Sequence, residues 1–329
     1  MSALVITGAG GYLGRHLVTA ARAAGHPVRA MIRSAPPAAW QDDPEIAVWN
    51  HDLAQGAPDS ALFDGALAVI HAAAGSGDGA AHARDTLAAT DALISGLGAD
   101  ARLVLVSSFS VYAVAALPDG ATLDETSPVD RAPVRRDAYA QAKIAQELRA
   151  IRVAQHGGLD LRIARPGAIY GNGVDWTARL GWRRGKRVLC PGGSATVPAI
   201  HVEDCARRLV ALALAEGGPA DDLPVLSGGG RIRVVNLVSS DPPRQSDWIA
   251  ARGLRAIRVP RKPLMRLASI ADLGADLLPS IDRRLPTGLR EATLAARFKP
   301  LRYSTARADD WLGADTEARP FRLDTDLGV

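Results

Sequence analysis

The sequence predicts a doubly wound α/β fold: a parallel sheet with helices on both faces and a smaller C-terminal lobe. Short apolar runs rich in Val and Ile alternate with helix-length segments through the first two-thirds of the chain. The first such run passes through a glycine-rich turn directly into an apolar helix. Hairpin chemistry is weak, since the Asp119-Gly120 turn is not flanked by alternating strands. Alternation of this kind builds a parallel sheet covered on both sides.

The elements follow in order. Leu4–Thr7, Val28–Ile32, Ile46–Trp49, Leu67–His71, Leu103–Val106 and Leu161–Ala164 have the length and composition of buried strands. Arg15–Ala24, His82–Gly96 and Asp137–Gln155 read as the helices between them. Residues 1–168 with 200–240 are expected to form a dinucleotide-binding unit, and 169–199 with 241–329 a substrate lobe. Trp176, Trp182, Trp248, Leu264 and Met265 supply apolar bulk there, most of it core. The Gly228-Gly229-Gly230 run is too short for a linker.

Composition narrows the class. With 329 residues, 47% hydrophobic and 22% charged, the chain has globular proportions and not those of a disordered one. Cys190 and Cys205 cannot frame a disulfide scaffold, and no Cys/His cluster has zinc-ligand spacing, so no metal is expected. Neither a secretory signal nor a membrane span is read from the sequence, and a cytoplasmic protein is expected. The net charge of +4 is mild, and nucleic-acid binding is not expected. Basic residues nevertheless gather at Arg252, Arg255, Arg258, Arg261, Lys262 and Arg266 with no acid among them. A solvated surface is the plain reading; contact with an anionic substrate or a peripheral lipid surface is the sharper one. The expected partner is a small-molecule substrate, and a homodimer is compatible with the sequence.

The turn Thr7-Gly8-Ala9-Gly10-Gly11-Tyr12-Leu13-Gly14 joins the first strand to the first helix. Free N–H groups and the helix dipole make such a junction an anion site, and Gly8, Gly11 and Gly14 let a dinucleotide phosphate approach the backbone. The second strand ends at Arg33-Ser34 with no acid to accept from the adenosine ribose. A guanidinium there suits a 2′-phosphate, so NADP(H) is favoured over NAD(H), which stays open. Asp52, followed by Leu53, either accepts from the adenine amino group or caps a turn.

Tyr139 and Lys143 stand four apart on one helix face. An ammonium so placed is expected to favour the phenolate and lower the tyrosine pKa from about 10. Ser107 and Ser108 end the Leu103–Val106 strand at the sheet edge where open α/β folds bind ligands. Each feature is weak alone; glycine loop, strand-end serine and Tyr-x-x-x-Lys in that order are specific together.

These residues, with His71-Ala72-Ala73, Val111-Tyr112, Arg165-Pro166-Gly167-x-Ile169-Tyr170-Gly171 and His201-Val202-Glu203-Asp204, resemble the extended short-chain dehydrogenase/reductases, or NAD-dependent epimerase/dehydratase family. The resemblance covers roughly residues 4–205 and implies a Rossmann-type fold. It implies Tyr139 as acid/base, Lys143 holding the nicotinamide ribose, and Ser108 bonding the substrate oxygen. It also places Ala72, Ala73, Ala74, Ser107, Pro166 and Gly167 beside the cofactor, and makes His201 and Glu203 a helix start. Departures matter equally. Phe109 and Ser110 stand where sugar-nucleotide dehydratases carry an acid pair, and Ala168 and Val197 where nucleotide-sugar epimerases carry asparagine and arginine. Thr86 replaces the helix asparagine. The resemblance therefore leans to the steroid- and ketone-reductase-like branch: hydride transfer between nicotinamide and a hydrophobic alcohol or ketone. Nucleotide-sugar epimerase/dehydratase chemistry is the alternative, and a non-catalytic NADP(H)-binding regulator a second one.

Overall fold

Strand order puts the ligand crevice in the middle of the molecule. The computed structural model describes residues 2–75, 79–191, 193, 195–219, 230–278, 282, 285–313 and 319–323. Gly228 and Gly229 lie outside them. The strands are β1 (Leu4–Thr7), β2 (Val28–Ile32), β3 (Ile46–Asn50), β4 (Ala68–His71), β5 (Arg102–Val106), β6 (Thr122–Leu123) and β7 (Asp160–Pro166). There follow β8 (Ala168–Tyr170), β9 (Trp182–Arg184), β10 (Arg187–Pro191), β11 (Ala199–His201), β12 (Arg231–Leu237), β13 (Arg255–Val259) and β14 (Arg302–Tyr303). Among the described residues, seven form one sheet in the order β3-β2-β1-β4-β5-β7-β12. All six of its pairings are parallel. The order reverses between β1 and β4, where Thr7 lies beside His71, and that switch point is where doubly wound sheets bind ligands.

Alternation along the strands makes two cores. Leu4, Ile6 and Val28 point to one face, under helices α1 (Tyr12–Ala23) and α4 (Val202–Leu214). Val5, Met31 and Leu103 point to the other, under α2 (Gly79–Gly96) and α3 (Ala138–His156). Asp137 starts α3 by accepting from Ala140 N at 3.0 Å, a side-chain cap of the kind a helix start requires. His201 caps α4 in the same way, accepting from Glu203 N at 3.4 Å.

The remaining chain packs over the C-terminal ends of the main strands. It contains the sheet β13-β10-β9 and the pairs β8–β11 and β6–β14. Helices α5 (Gln245–Ala251) and α6 (Arg261–Leu277), then Glu291–Phe298 and Ala306–Leu312, complete it. Trp248 is fully buried against Tyr170 and Leu180, and Trp182 packs on Phe298 near Leu264 and Met265. Of these expected apolar residues, only Trp176 reaches the larger cavity described below.

Candidate active site

The turn after β1 is shaped by what it excludes. Gly8 has φ +69°, and a Cβ on it would lie 2.7 Å from Ala73; a Cβ on Gly14 would lie 2.1 Å from the Gly8 carbonyl. The turn thus presses against both β4's exit and its own helix. Gly11 caps α1 without any side-chain bond to the helix N–H groups, which suits a phosphate at the dipole's positive end. A cavity of about 410 Å³ opens there, lined by Gly8, Gly11, Tyr12, Arg33, Asp52 and Leu53 together with Ala72, Ala73 and Ala74. Gly10, Ser34 and Asp85 line it too, the last from α2 with no local motif to mark it. This narrow glycine cradle, backed by an uncapped helix and open to an exposed guanidinium at Arg33, fits a dinucleotide. Asp52 accepts from Ala54 N at 3.0 Å, so it is a cap as well as a lining residue. Tyr12 turns its hydroxyl away, donating to Gly171 O at 2.6 Å.

A second cavity, of about 800 Å³, continues from the first past Leu13, Ala72 and Ala74. It collects Ser107, Ser108, Tyr139, Lys143, Pro166 and Gly167. Ser108 begins a short turn and accepts from Ser110 N at 3.1 Å. Its hydroxyl lies close enough to Tyr139 to pull the phenol's pKa down against the effect of burial. The nearly buried Arg136 holds that turn, donating to Ser110 O at 2.7 Å and Tyr112 O at 3.1 Å. Ser107 lines the cavity and its hydroxyl bonds Glu147. Glu147 in turn pairs bidentately with Arg165 at 2.9 and 2.7 Å, and Arg165 lies over the Tyr112 ring. That network is interior, and it fixes the end of β7 next to Pro166.

The expected Tyr139–Lys143 coupling is corrected by the geometry. Lys143 Nζ donates to Val106 O at 2.8 Å and to Gln146 Oε1 at 3.0 Å. Burial pulls the ammonium down to about 8, against the opposing pull of Glu147. The Tyr139 phenol is raised above its usual value by desolvation and by the Asp137 charge, with the nearby Ser108 hydroxyl and the Arg179 charge opposing. The phenol is therefore neutral at pH 7, a proton donor.

Behind Lys143 runs a buried chain that the sequence did not reveal. Gln146 Nε2 donates to Thr90 Oγ1 at 2.8 Å, and Thr90 donates to Thr86 O. Thr90 therefore accepts from His71 Nε2 at 3.2 Å, which leaves His71 Nδ1 to accept from Thr7 Oγ1 at 2.7 Å. Burial and the Lys143 charge push His71 down to about 3, so it stays neutral. Thr86 is occupied by Gly75 N and His82 O.

The cavity also holds features with no counterpart in the motif. His82 faces Tyr139 with ring centroids 6.0 Å apart. His82 Nε2, Ser110 Oγ and Thr293 Oγ1 are buried without a partner among the described residues. Arg179 and Arg297 line the same space. Arg179 bonds Ala296 O, whereas Arg183 lies over Trp176. Asp137 is the only carboxylate among the described lining residues.

Comparison with known proteins agrees with this architecture. Residues 4–223 match the NAD dependent epimerase/dehydratase family. The chain belongs to that family, a family of nicotinamide-dependent enzymes. It is 34% identical over 219 residues to a ceramide reductase of Caulobacter vibrioides, a match covering 63% of this chain and 60% of that protein. A dTDP-glucose 4,6-dehydratase from Streptomyces venezuelae, solved with NAD bound, superposes with TM-score 0.61 at 19% identity, over 98% of this chain and 93% of that one. The terminal R domain of the myxalamid PKS-NRPS pathway superposes with TM-score 0.63 at 17% identity, over 98% and 87%. Among the described residues, no helix is long and apolar enough to cross a membrane.

Proposed function

We propose that the protein is an NADP(H)-dependent reductase of a bulky, largely apolar ketone bearing uncharged polar groups beside the carbonyl. The observation that carries this reading is the cavity itself. Ser108, Tyr139 and Lys143 line it, and its one described carboxylate, Asp137, caps α3 and faces Arg297 at 3.7 Å. Dehydration of a sugar needs an acid where Phe109 is buried. Reduction needs only an oxygen-polarising hydroxyl and a proton donor. The dinucleotide, held by the glycine turn and Arg33, supplies hydride when bound. Ser108 polarises the carbonyl and Tyr139 gives its proton to the developing alkoxide, a contribution of ~10²–10⁴-fold. Lys143 holds the nicotinamide ribose. The unpartnered Ser110 Oγ and Thr293 Oγ1 suit hydroxyl or amide groups of the substrate, because a buried polar atom left unbonded costs about 1–3 kcal/mol. A relative whose name is ceramide reductase supports a ketone flanked by an amide.

The test is NADPH oxidation with a long-chain α-acylamino ketone. Wild-type protein should turn over, and Tyr139→Phe should abolish turnover while NADPH affinity changes little. More than about a tenth of wild-type kcat in that variant would overturn the role of Tyr139. A second reading, a nucleotide-sugar substrate, draws on Arg179, which stands near enough to Tyr139 to act on its charge. Titration with UDP and dTDP separates the two, since tight binding of either would favour the sugar nucleotide.

A further inference from the structure

Helix α6 buries Ala268, Asp272 and Ala275. One buried face is all that a surface helix needs, and the opposite face is normally polar. Here Leu267, Ile270, Leu273 and Leu277 occupy that opposite face, 66, 67, 62 and 73% exposed. At 100° per residue they span an arc of roughly 120°. Scattered exposed leucines are ordinary, but a contiguous stripe marks an interaction surface. Lys262 and Arg266 share the stripe and are also exposed. The acids of α6 are engaged elsewhere, Asp272 with Arg290 and Asp276 with Arg135.

The adjoining sheet repeats this chemistry. Register sets Arg184, Arg187 and Arg255 side by side across β9, β10 and β13. Trp182, Leu189 and Ile257 form the next row on the same side. Like charges directly opposite one another on a sheet repel, and among the described residues no carboxylate pairs with these three arginines. Trp182 packs on Phe298 in the cluster that holds Leu264, Met265 and Ala268 of α6, so sheet and helix are neighbours.

We infer that the exposed face of α6 docks on an anionic lipid bilayer, with its leucines entering the boundary between headgroups and acyl chains and Lys262 and Arg266 meeting lipid phosphates. Charge decides the occupant. A second copy of the chain would cover the leucines but bring the same unpaired cations with it; an anionic membrane satisfies both. The surface also backs onto the larger cavity. Ala268 of α6 packs with Leu294 and Phe298, on the helix whose Thr293, Ala296 and Arg297 line that cavity. Docking does not require the reaction proposed above, and it is read out without turnover.

The experiment is co-sedimentation with vesicles of phosphatidylcholine containing about a third phosphatidylglycerol, against phosphatidylcholine alone. Wild-type protein should bind the anionic vesicles about tenfold or more tightly, with the difference lost in high salt. Ile270→Asp/Leu277→Asp should weaken anionic binding by about tenfold or more while NADPH affinity stays unchanged. If that variant fails to fold, Lys262→Glu/Arg266→Glu, at exposed positions, should give the same loss. Equal binding to both vesicles, or undiminished binding by the folded variants, would overturn the inference. So would a wild-type dimer that ignores vesicles and that these substitutions dissociate, because the stripe would then belong to a second copy.

Discussion

Gln146 holds Lys143 in place, and replacing it should move the lysine's titration in either direction. Its Oε1 accepts from Lys143 Nζ at 3.0 Å and its Nε2 donates to Thr90 at 2.8 Å, all inside the protein. The groups facing Lys143 are Val106 O, Gln146, His71 and Glu147, of which only Glu147 carries a charge that favours the ammonium. Gln146→Leu removes one acceptor from a buried cation, worth about 1.5–3 kcal/mol. At ~1.4 kcal/mol per pKa unit, the lysine drops by about one to two units from its value of about 8. Gln146→Glu puts a carboxylate at hydrogen-bond distance and raises it. If the charged form holds the nicotinamide ribose, NADPH affinity is complete below the lysine pKa and declines as pH rises through it. Fluorescence titration of NADPH across a pH series should therefore place the midpoints in the order Leu variant, wild type, Glu variant, from low to high. One midpoint common to three folded proteins would refute the reasoning.

Two further outcomes follow from the geometry. Arg33→Ala should weaken NADPH by ~1–2 kcal/mol, about five- to thirtyfold, and leave NADH nearly unchanged; the figure is kept low because the guanidinium is exposed. A wild-type preference for NADH in calorimetric titration would remove the basis for that prediction. Glu147→Gln strands the buried Arg165 charge and should cost about 3–5 kcal/mol in urea denaturation, with a loss below about 1 kcal/mol arguing that Tyr112 and its neighbours suffice to hold the arginine.

The parts of this protein legible in its sequence are those set by local rules. The bounds of β1 and β2 coincide with the apolar runs that predict them. The sequence predicts the start of α1 at Arg15, three residues late, because Tyr12-Leu13-Gly14 reads as turn when it is already helix. Strand β12 escaped notice because Arg231 and Arg233 interrupt its apolar pattern. In the fold, Arg233 joins Arg102 and Arg162 around Asp160, so a position that looks solvent-facing is interior. The same limit applies at the site. The glycine cradle is contiguous and its meaning is local. The bond chain behind Lys143 draws on β1, β4, α2 and α3, and no spacing rule joins Thr7, His71, Thr90 and Gln146. Arg179 carries no local signal in the sequence, and only the fold brings its charge to bear on Tyr139.

The chain of bonds from Lys143 to Thr7 has a bearing on where protons can travel. An amide such as Gln146 passes on a hydrogen bond but does not conduct a proton, and Thr90 spends its own hydrogen on Thr86 O. Neutral His71, at about 3, has no reason to take one up. The interior side of the site is thus insulated. If Tyr139 gives its hydrogen to a product, as the proposed reduction requires, the replacement has to arrive from the cavity side, where His82 stands beside it. A bulky substrate seated in that cavity would close the route, so the phenol would recover its hydrogen only as product leaves, tying re-arming of the enzyme to emptying of the site.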